Sequence, residues 1–402
     1  MPDVPHAPGS TADFTAELHA FLTAAMRDAT AHADPADLTG LSESFERALL
    51  EEAGDRGHLG IGLAEEVADG PWLRAAFDYA VAAHDAPLVD TAVTLAGFAI
   101  TRYADAEQRA RFLPRMLGGD LTMCIAYSEP EAGGDLRAIR TAAADAPGGG
   151  YLLSGVKTLV TGAHKADWCC TVARTGTSGG LTMFLVDMAA PGVRVVRRPT
   201  MNGWTLDEIH FDRVRLPAAS VLGERDRAWR QLTAALQAER SGMFYLGFAR
   251  RVLDQLREYL TAASDAPADD PAYAGPVLED PPFAFDAYAA LELDHAAGLR
   301  LARRAVAATG QGPEAVAYSA MAKTFATELL QRVAQTATEL AGHQGTVHAP
   351  LFAPEPAPAA AGGRFAWEYL ERVHGTISVG ANELQRDAIA QLGLGLPRAR
   401  RA

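Results

Sequence analysis

From about Thr11 to Gly119 the apolar residues recur at the helical period. Phe14, Leu18, Phe21, Leu22 and Met26 stand at i, i+4, i+7, i+8 and i+12, which is one face of an amphipathic helix. Gly57, Gly60, Gly62, Gly70 and Pro71 punctuate a connection, Pro87 marks another break, and a further helix is predicted over Ala104–Leu117, ending at Gly118–Gly119. Near Leu121 the texture changes to short runs rich in β-branched and aromatic residues. They are Met123–Tyr127, Tyr151–Leu153, Thr158–Thr161, Trp168–Ala173, Thr182–Asp187, Val193–Arg197 and Glu208–Phe211, separated by turns at Gly148–Gly150, Gly179–Gly180 and Pro191–Gly192. Strands at roughly ten-residue spacing predict a compact all-β unit, which Pro217 closes. After Leu222 the helical period returns almost to the end, interrupted by Asp265–Pro282 and Leu351–Gly363, both rich in Pro and Ala. The chain therefore reads as helical over 1–120, β over 121–222 and helical over 223–402.

Composition sharpens this picture. A chain of 402 residues exceeds the roughly 250–300 residues at which single cores stop growing, so more than one core is expected. Hydrophobic residues at 49% and charged residues at 21% exclude wholesale disorder. No apolar run approaches a membrane span, and MPDVPHAPGS lacks the basic-then-apolar order of a signal peptide, so the expectation is a cytoplasmic protein. A net charge of −14 repels the phosphate backbone of nucleic acid. Of 36 basic residues only Lys157, Lys165 and Lys323 are lysine. The three cysteines, Cys124, Cys169 and Cys170, form no CxxC pair, and the 11 scattered histidines form no HxxxH or HExxH motif; no disulfide framework or metal site is expected.

The first chemical signal is Ser128-Glu-Pro-Glu-Ala-Gly-Gly-Asp135, a loop following a strand. Glycine permits close backbone approach, and successive N–H groups can face an anion or a heteroaromatic edge. By spacing alone the segment is either a ligand loop or an ordinary turn. Three further segments follow in order: Gly155-Val-Lys-Thr-Leu-Val-Thr-Gly162, Phe211-Asp-Arg-Val-Arg-Leu-Pro217 and Thr376-Ile-Ser-Val-Gly-Ala-Asn-Glu-Leu-Gln-Arg386, with Leu394-Gly-Leu-Pro397 near the end. Taken together and in this order, they resemble the acyl-CoA dehydrogenase family over nearly the whole chain.

The resemblance implies an α+β fold with an N-terminal helical domain, a middle β-barrel-like domain and a C-terminal four-helix bundle that mediates oligomerisation. It also implies FAD as cofactor. A base removes the α-proton of an acyl thioester, a hydride leaves the β-carbon for flavin N5, and a 2-enoyl thioester results. By position Tyr127, Ser128, Gly133 and Gly134 line the flavin, with Leu159 and Thr161 beside its ring system and the Thr161 hydroxyl directed to N5. Gly134 stands where the family usually has serine, and Leu159 where a stacking tryptophan is frequent. Glu339 and Gly342, within Thr338-Glu-Leu-Ala-Gly-His-Gln-Gly345, and Ala381 and Glu383 in the C-terminal motif complete the cofactor set. Glu339 replaces glutamine, Ala381 replaces threonine, and an R-x-x-F-G stretch is not recognisable. FAD is therefore held through altered contacts, or a partner subunit supplies part of its site.

Many relatives place the base immediately before the glycine of the C-terminal motif. Here that position is Val379, which accepts no proton. A second arrangement puts the base in a Glu-Arg pair after the β domain, and Glu239-Arg240 stands there. Independently, Leu232, Leu236, Glu239, Met243, Leu246, Leu253, Leu256 and Leu260 fall at steps of three, four or seven along one helix, which places Glu239 within its apolar stripe. A carboxyl there is expected to titrate upward and serve as a base; the alternative is a structural glutamate paired with an arginine. The resemblance assigns Arg240, Met243, Val379 and Gly380 to the substrate, with the Val379 main-chain N–H donating to the thioester oxygen and Gly380 giving room. The expected partners are an acyl-CoA or an acyl carrier protein thioester, an electron acceptor (a flavoprotein or oxygen), and copies of the chain in a homodimer or homotetramer. Two alternatives share the fold: a flavin monooxygenase, and a non-catalytic subunit of a hetero-oligomer.

Overall fold

A computed structural model describes residues 10–33, 40–63, 69–88, 92–176, 180–232, 241–267, 273, 280–349, 351–352 and 359–397. The N-terminal region contains α1 (Ser10–Met26), α2 (Glu43–Asp55), α3 (Gly70–His84), α4 (Phe98–Tyr103) and α5 (Ala106–Leu117). Ser42 and Asp105 cap α2 and α5 through the N–H groups of Phe45 and Gln108, satisfying donors that a helix start leaves without partners. Leu18, Phe21 and Leu22 of the expected stripe pack with Leu49, Leu50, Phe77 and Val81 in one core.

The middle region is one eight-stranded sheet. Its strands are β1 (Met123–Ala126), β2 (Ala142–Asp145), β3 (Tyr151–Val160), β4 (Trp168–Thr175), β5 (Gly180–Asp187), β6 (Val193–Pro199), β7 (Thr205–Leu216) and β8 (Val221–Leu222). The order is β6-β7-β3-β2-β4-β5-β8, with β1 parallel to β4 off this path. Leu153, Ile209 and Val214 from one half meet Cys169, Ala173, Phe184 and Val186 from the other, so the sheet wraps around a core of its own. On the opposite face Cys170, Val172, Met183 and Leu185 pack against Ala99, Ile100, Phe112 and Met116, which fastens α4 and α5 to the sheet. The runs expected at Tyr151–Leu153 and Thr158–Thr161 are one strand, carried through Gly155 at φ +149°, where a Cβ would lie 2.4 Å from Thr141 Oγ1. Strand β2, sequence AAAD, was not anticipated, because alanine carries no β signal and pairing with β3 and β4 defines it.

Among the described residues the C-terminal region has three long helices, α6 (Met243–Asp265), α7 (Pro281–Ala307) and α8 (Pro313–Leu340), followed by the short α9 (Arg364–Glu371) and α10 (Asn382–Ala388) joined by 3₁₀ turns. The anticipated single helix from Leu232 to Leu260 is interrupted. Helix α6 starts at Met243 behind Gly242, which is left-handed at φ +78° and sits where a Cβ would lie 2.9 Å from the Ala322 carbonyl of α8. The apolar stripe continues across this break, but the helix does not.

N- and C-terminal regions are joined by close packing and by buried charge. Gly247 lets α6 approach α3 so closely that a Cβ would lie 2.4 Å from the Tyr79 carbonyl and 2.8 Å from Ala82 Cβ. Asp85, at the end of α3, takes Arg251 of α6 and both terminal nitrogens of Arg364 of α9. Arg364 continues to the fully buried Glu368, which also holds Arg372. Burial opposes the Asp85 charge, yet the two guanidinium groups hold its carboxyl far below the usual range, while burial and Arg364 push Arg251 down to about 10. Among the described residues, no helix is long and apolar enough to cross a membrane.

Candidate active site

The loop after β1 is built on a buried ion pair. Lys157 of β3 is fully buried, and its Nζ donates to Glu129 Oε1 at 2.9 Å and to the Tyr127 carbonyl at 3.1 Å. Glu129 also accepts the backbone N–H groups of Arg140 (2.5 Å) and Thr141 (3.0 Å). Burial opposes the charge on Glu129, but these hydrogen bonds and the lysine hold its carboxyl below the ordinary range; burial lowers Lys157, and Glu129 partly offsets this. The Ser128 carbonyl accepts the Thr158 N–H at 3.0 Å, so the loop and the end of β3 are tied together on both sides of Lys157.

The pairing of β3 with β7 slips between Lys157 and Val160, and Leu159 in that bulge is left-handed at φ +57°. Val160 is buried while Leu159 and Thr161 on either side are exposed, Leu159 by 64%. An apolar side chain and a hydroxyl thus stand out from the strand end, and in the loop tied to that strand Gly133 is open, with nothing within 4 Å of a built Cβ. A flat ring system needs such an open, partly apolar platform, so the residues present fit the flavin of FAD. Immediately after, Asp207 of β7 accepts both the backbone N–H (2.9 Å) and the ring Nδ1 (2.8 Å) of His164, which fixes the turn that follows Thr161.

The C-terminal motif meets this platform. Gly134 faces Leu384 of α10, whose Cδ1 would lie 3.6 Å from a Cβ there. Val379 is left-handed at φ +54° and Gly380 at φ +87°; such a backbone is a sterically costly outlier for a β-branched residue. Lys323 of α8, also fully buried, donates to the Gly380 carbonyl at 3.0 Å and to Asn382 Oδ1 at 2.8 Å. Asn382 Nδ2 in turn donates to Thr327 Oγ1 and Glu328 Oε1. Ala381 is half-buried and Glu383 exposed at the start of α10. Met243 is fully buried at the start of α6, one residue after the glycine that touches Ala322. Glu239 and Arg240 lie outside the described residues.

Tyr127, Ser128, Gly133, Gly134, Leu159, Thr161, Val379, Gly380 and Ala381 thus belong to connected segments. Glu339 and Gly342 do not join them. Sixteen residues along α8 separate Lys323 from Glu339, about 24 Å at the helical rise. Glu339 is exposed and held by Gln335 at 2.7 Å. The three buried cysteines stay within the sheet core; burial raises Cys169 and pushes Cys170 up to about 12, leaving neither thiol reactive. Lys157 with Glu129, Lys323 with Asn382, and His164 with Asp207 were not singled out from the sequence. One signal for the first two was present: a chain that uses arginine almost throughout keeps lysine at three positions, and two of them are buried beside these segments.

Comparison with known proteins gives matches to acyl-CoA dehydrogenase, N-terminal domain, over residues 13–120, to its middle domain over 124–214 and to its C-terminal domain over 226–394. Acyl-CoA dehydrogenase FadE26 of Mycobacterium tuberculosis is 30% identical over 376 residues, covering 88% of this chain and 89% of the relative. Among solved structures, a protein described as "Tcur3481-Tcur3483 steroid ACAD" superposes with a TM-score of 0.82 at 25% identity, over 98% of this chain and 99% of that one. The ChsE4-ChsE5 complex from Mycobacterium tuberculosis gives a TM-score of 0.83 at 25% identity, over 99% of this chain and 100% of the other.

Proposed function

The chain belongs to the acyl-CoA dehydrogenase family, flavin oxidoreductases that use FAD and act on the CH–CH bond of an acyl-CoA, and on that premise we propose that it removes the α-proton of its substrate with Glu239. One observation carries the choice of base. The position before the glycine of the C-terminal motif is Val379, whose side chain accepts no proton. Its main-chain N–H is retained, and on this reading it donates to the thioester oxygen as negative charge develops there, while Gly380 leaves space for the acyl group. Tyr127, Ser128, Gly133 and Gly134 hold the flavin from one side, and Leu159 and Thr161 support its ring. Bound flavin supplies the acceptor for the β-hydride.

The test is anaerobic flavin reduction. Wild type and Glu239→Gln are mixed with short, branched and long acyl-CoAs, and with a CoA thioester of a steroid side chain, since one similar structure is described as a steroid enzyme. Reduction with appearance of the 2-enoyl product, slowed about 10²–10⁴-fold in the variant, is the expected result. Reduction of the variant at the wild-type rate removes Glu239 from the role.

A second reading concerns assembly. Glu339 stands sixteen residues, about 24 Å, along α8 from Lys323, and Gly342 lies beyond the end of that helix. On this reading a second chain of like fold supplies such a segment to the flavin of its neighbour; one similar structure is described as a complex, ChsE4-ChsE5. Flavin that leaves in step with dissociation of the assembly on dilution supports this; flavin retained by monomer overturns it.

A further inference from the structure

Val379 raises a physical question that the reaction alone does not answer. A β-branched residue at φ +54° lies in a conformation that glycine adopts freely and valine avoids, at a cost that shifts the local equilibrium by roughly 5- to 100-fold. Something must hold it. The groups packed on the following two peptides converge on one buried amine: Lys323 Nζ donates to the Gly380 carbonyl at 3.0 Å and to Asn382 Oδ1 at 2.8 Å. Gln385 Nε2 reinforces the same carbonyl at 3.2 Å. Asn382 is anchored through its Nδ2 to Thr327 Oγ1 at 3.1 Å and Glu328 Oε1 at 3.0 Å, and Thr327 is itself tied to the Lys323 carbonyl at 2.9 Å. The amine, both acceptors and their anchors therefore form one connected cluster on two turns of α8. A compact ammonium reaches two acceptors lying in different directions, which a planar guanidinium does not do with the same geometry. This accounts for a lysine at position 323 in a chain whose basic residues are otherwise nearly all arginine.

We propose that Lys323 is a positioning residue: by clamping the Gly380 carbonyl and Asn382 it keeps Val379 left-handed, and so fixes the direction of the main-chain N–H that receives the thioester oxygen. The assignment of that N–H rests on the proposed function; the clamp itself does not. Without the amine, Val379 relaxes toward negative φ and its N–H turns away. With glycine at 379, the left-handed backbone persists without the clamp.

The test is a double-mutant cycle of Lys323→Met and Val379→Gly in the full-length flavoprotein, read in two ways. Hydrogen exchange of the 376–386 segment, which requires no catalysis, is expected to accelerate about tenfold or more when Lys323→Met is introduced beside Val379, and by less than about threefold in the Val379→Gly background. The rate of flavin reduction by saturating acyl-CoA is expected to fall about 10–100-fold and less than about threefold in the same two backgrounds, with a smaller change in KM. If Lys323→Met does not yield folded protein, Asn382→Ala, which leaves the amine but removes its second acceptor, takes its place in the cycle. Equal effects in the two backgrounds overturn the proposal, because a purely structural lysine is indifferent to the residue at 379. Coupling in hydrogen exchange without coupling in reduction keeps the clamp and removes the thioester role from the Val379 N–H.

Discussion

Replacement of Lys157 by methionine isolates the ion pair beneath the flavin loop. At 2.9 Å and an effective dielectric of about 20, the attraction between Nζ and Glu129 Oε1 is about 6 kcal/mol gross, much of it offset by the desolvation of both groups. Removing only the lysine keeps the desolvation cost of Glu129 and loses the attraction, so a destabilisation of about 3–5 kcal/mol is expected near neutral pH. The carboxylate retains the N–H donors of Arg140 and Thr141, which favours the lower end of that range. The sign of the pH dependence follows from the carboxyl. In wild type its pKa is depressed, so its contribution is present above the unfolded value and is lost as pH falls through the folded one. Without the lysine the carboxyl loses a hydrogen bond and a positive charge that lower it, so its folded pKa moves up from the wild-type position and the difference between variant and wild type shrinks as pH is lowered toward 4. Adding Glu129→Gln to Lys157→Met should recover part of the loss at pH 7, because an amide is cheaper to bury than an unpaired charge. Urea unfolding of the four proteins at pH 7 and pH 5 measures all of this, with flavin retention as a local readout. A Lys157→Met penalty below about 1 kcal/mol, or one independent of pH and additive with Glu129→Gln, refutes the reasoning.

Two further outcomes follow from the packing. Gly247→Ala places a Cβ 2.4 Å from the Tyr79 carbonyl, so α3 and α6 must separate; a loss of about 1–3 kcal/mol is expected in thermal or urea unfolding, against a few tenths for Gly60→Ala, where the nearest atoms lie 3.8 Å from the new Cβ. His84, hydrogen-bonded to His19 Nδ1 at 2.8 Å, is lowered to about 4 by burial, by His19 and by Arg251. The unfolded chain then binds more protons between pH 6.5 and about 4, so stability falls through that window as pH drops, by about 2–3 kcal/mol, and His84→Gln should flatten the curve.

The order of helical, β and helical regions was legible because periods of 3.6 and 2 are set by which faces are buried, and Phe14 to Met26 or Thr182 to Asp187 carry that pattern plainly. Strand β2 was not legible, since Ala142–Ala144 are compatible with any element and pairing decides them. The break at Gly242 was hidden by an apolar stripe that continues across it, and this removes the support that an unbroken helix lent to Glu239. The segments around Ser128, Leu159 and Val379 were found as motifs, but not the ions beneath them. Charged residues read as surface in a linear pattern, whereas Lys157, Lys323 and Glu368 are buried with partners 28, 59 and 4 residues away. The left-handed backbones of Leu159 and Val379 left no trace either, because neither residue type favours that conformation and long-range contacts impose it.

Asp85 also constrains how the chain comes to be folded during synthesis. Its carboxylate is buried at the end of α3, but the guanidinium groups that neutralise it belong to α6 and to Arg364, 279 residues later. While the ribosome is still making the sheet, the first helices carry an anion that their own segment cannot neutralise, and the face of α3 that receives Gly247 is bare. Arg251 and Gly247 arrive with α6, but the second guanidinium comes only with the last tenth of the chain, so the seat of Asp85 is complete only then. Nascent chains halted before residue 364 should be protease-sensitive around α3, even though every helix of that region has already been translated.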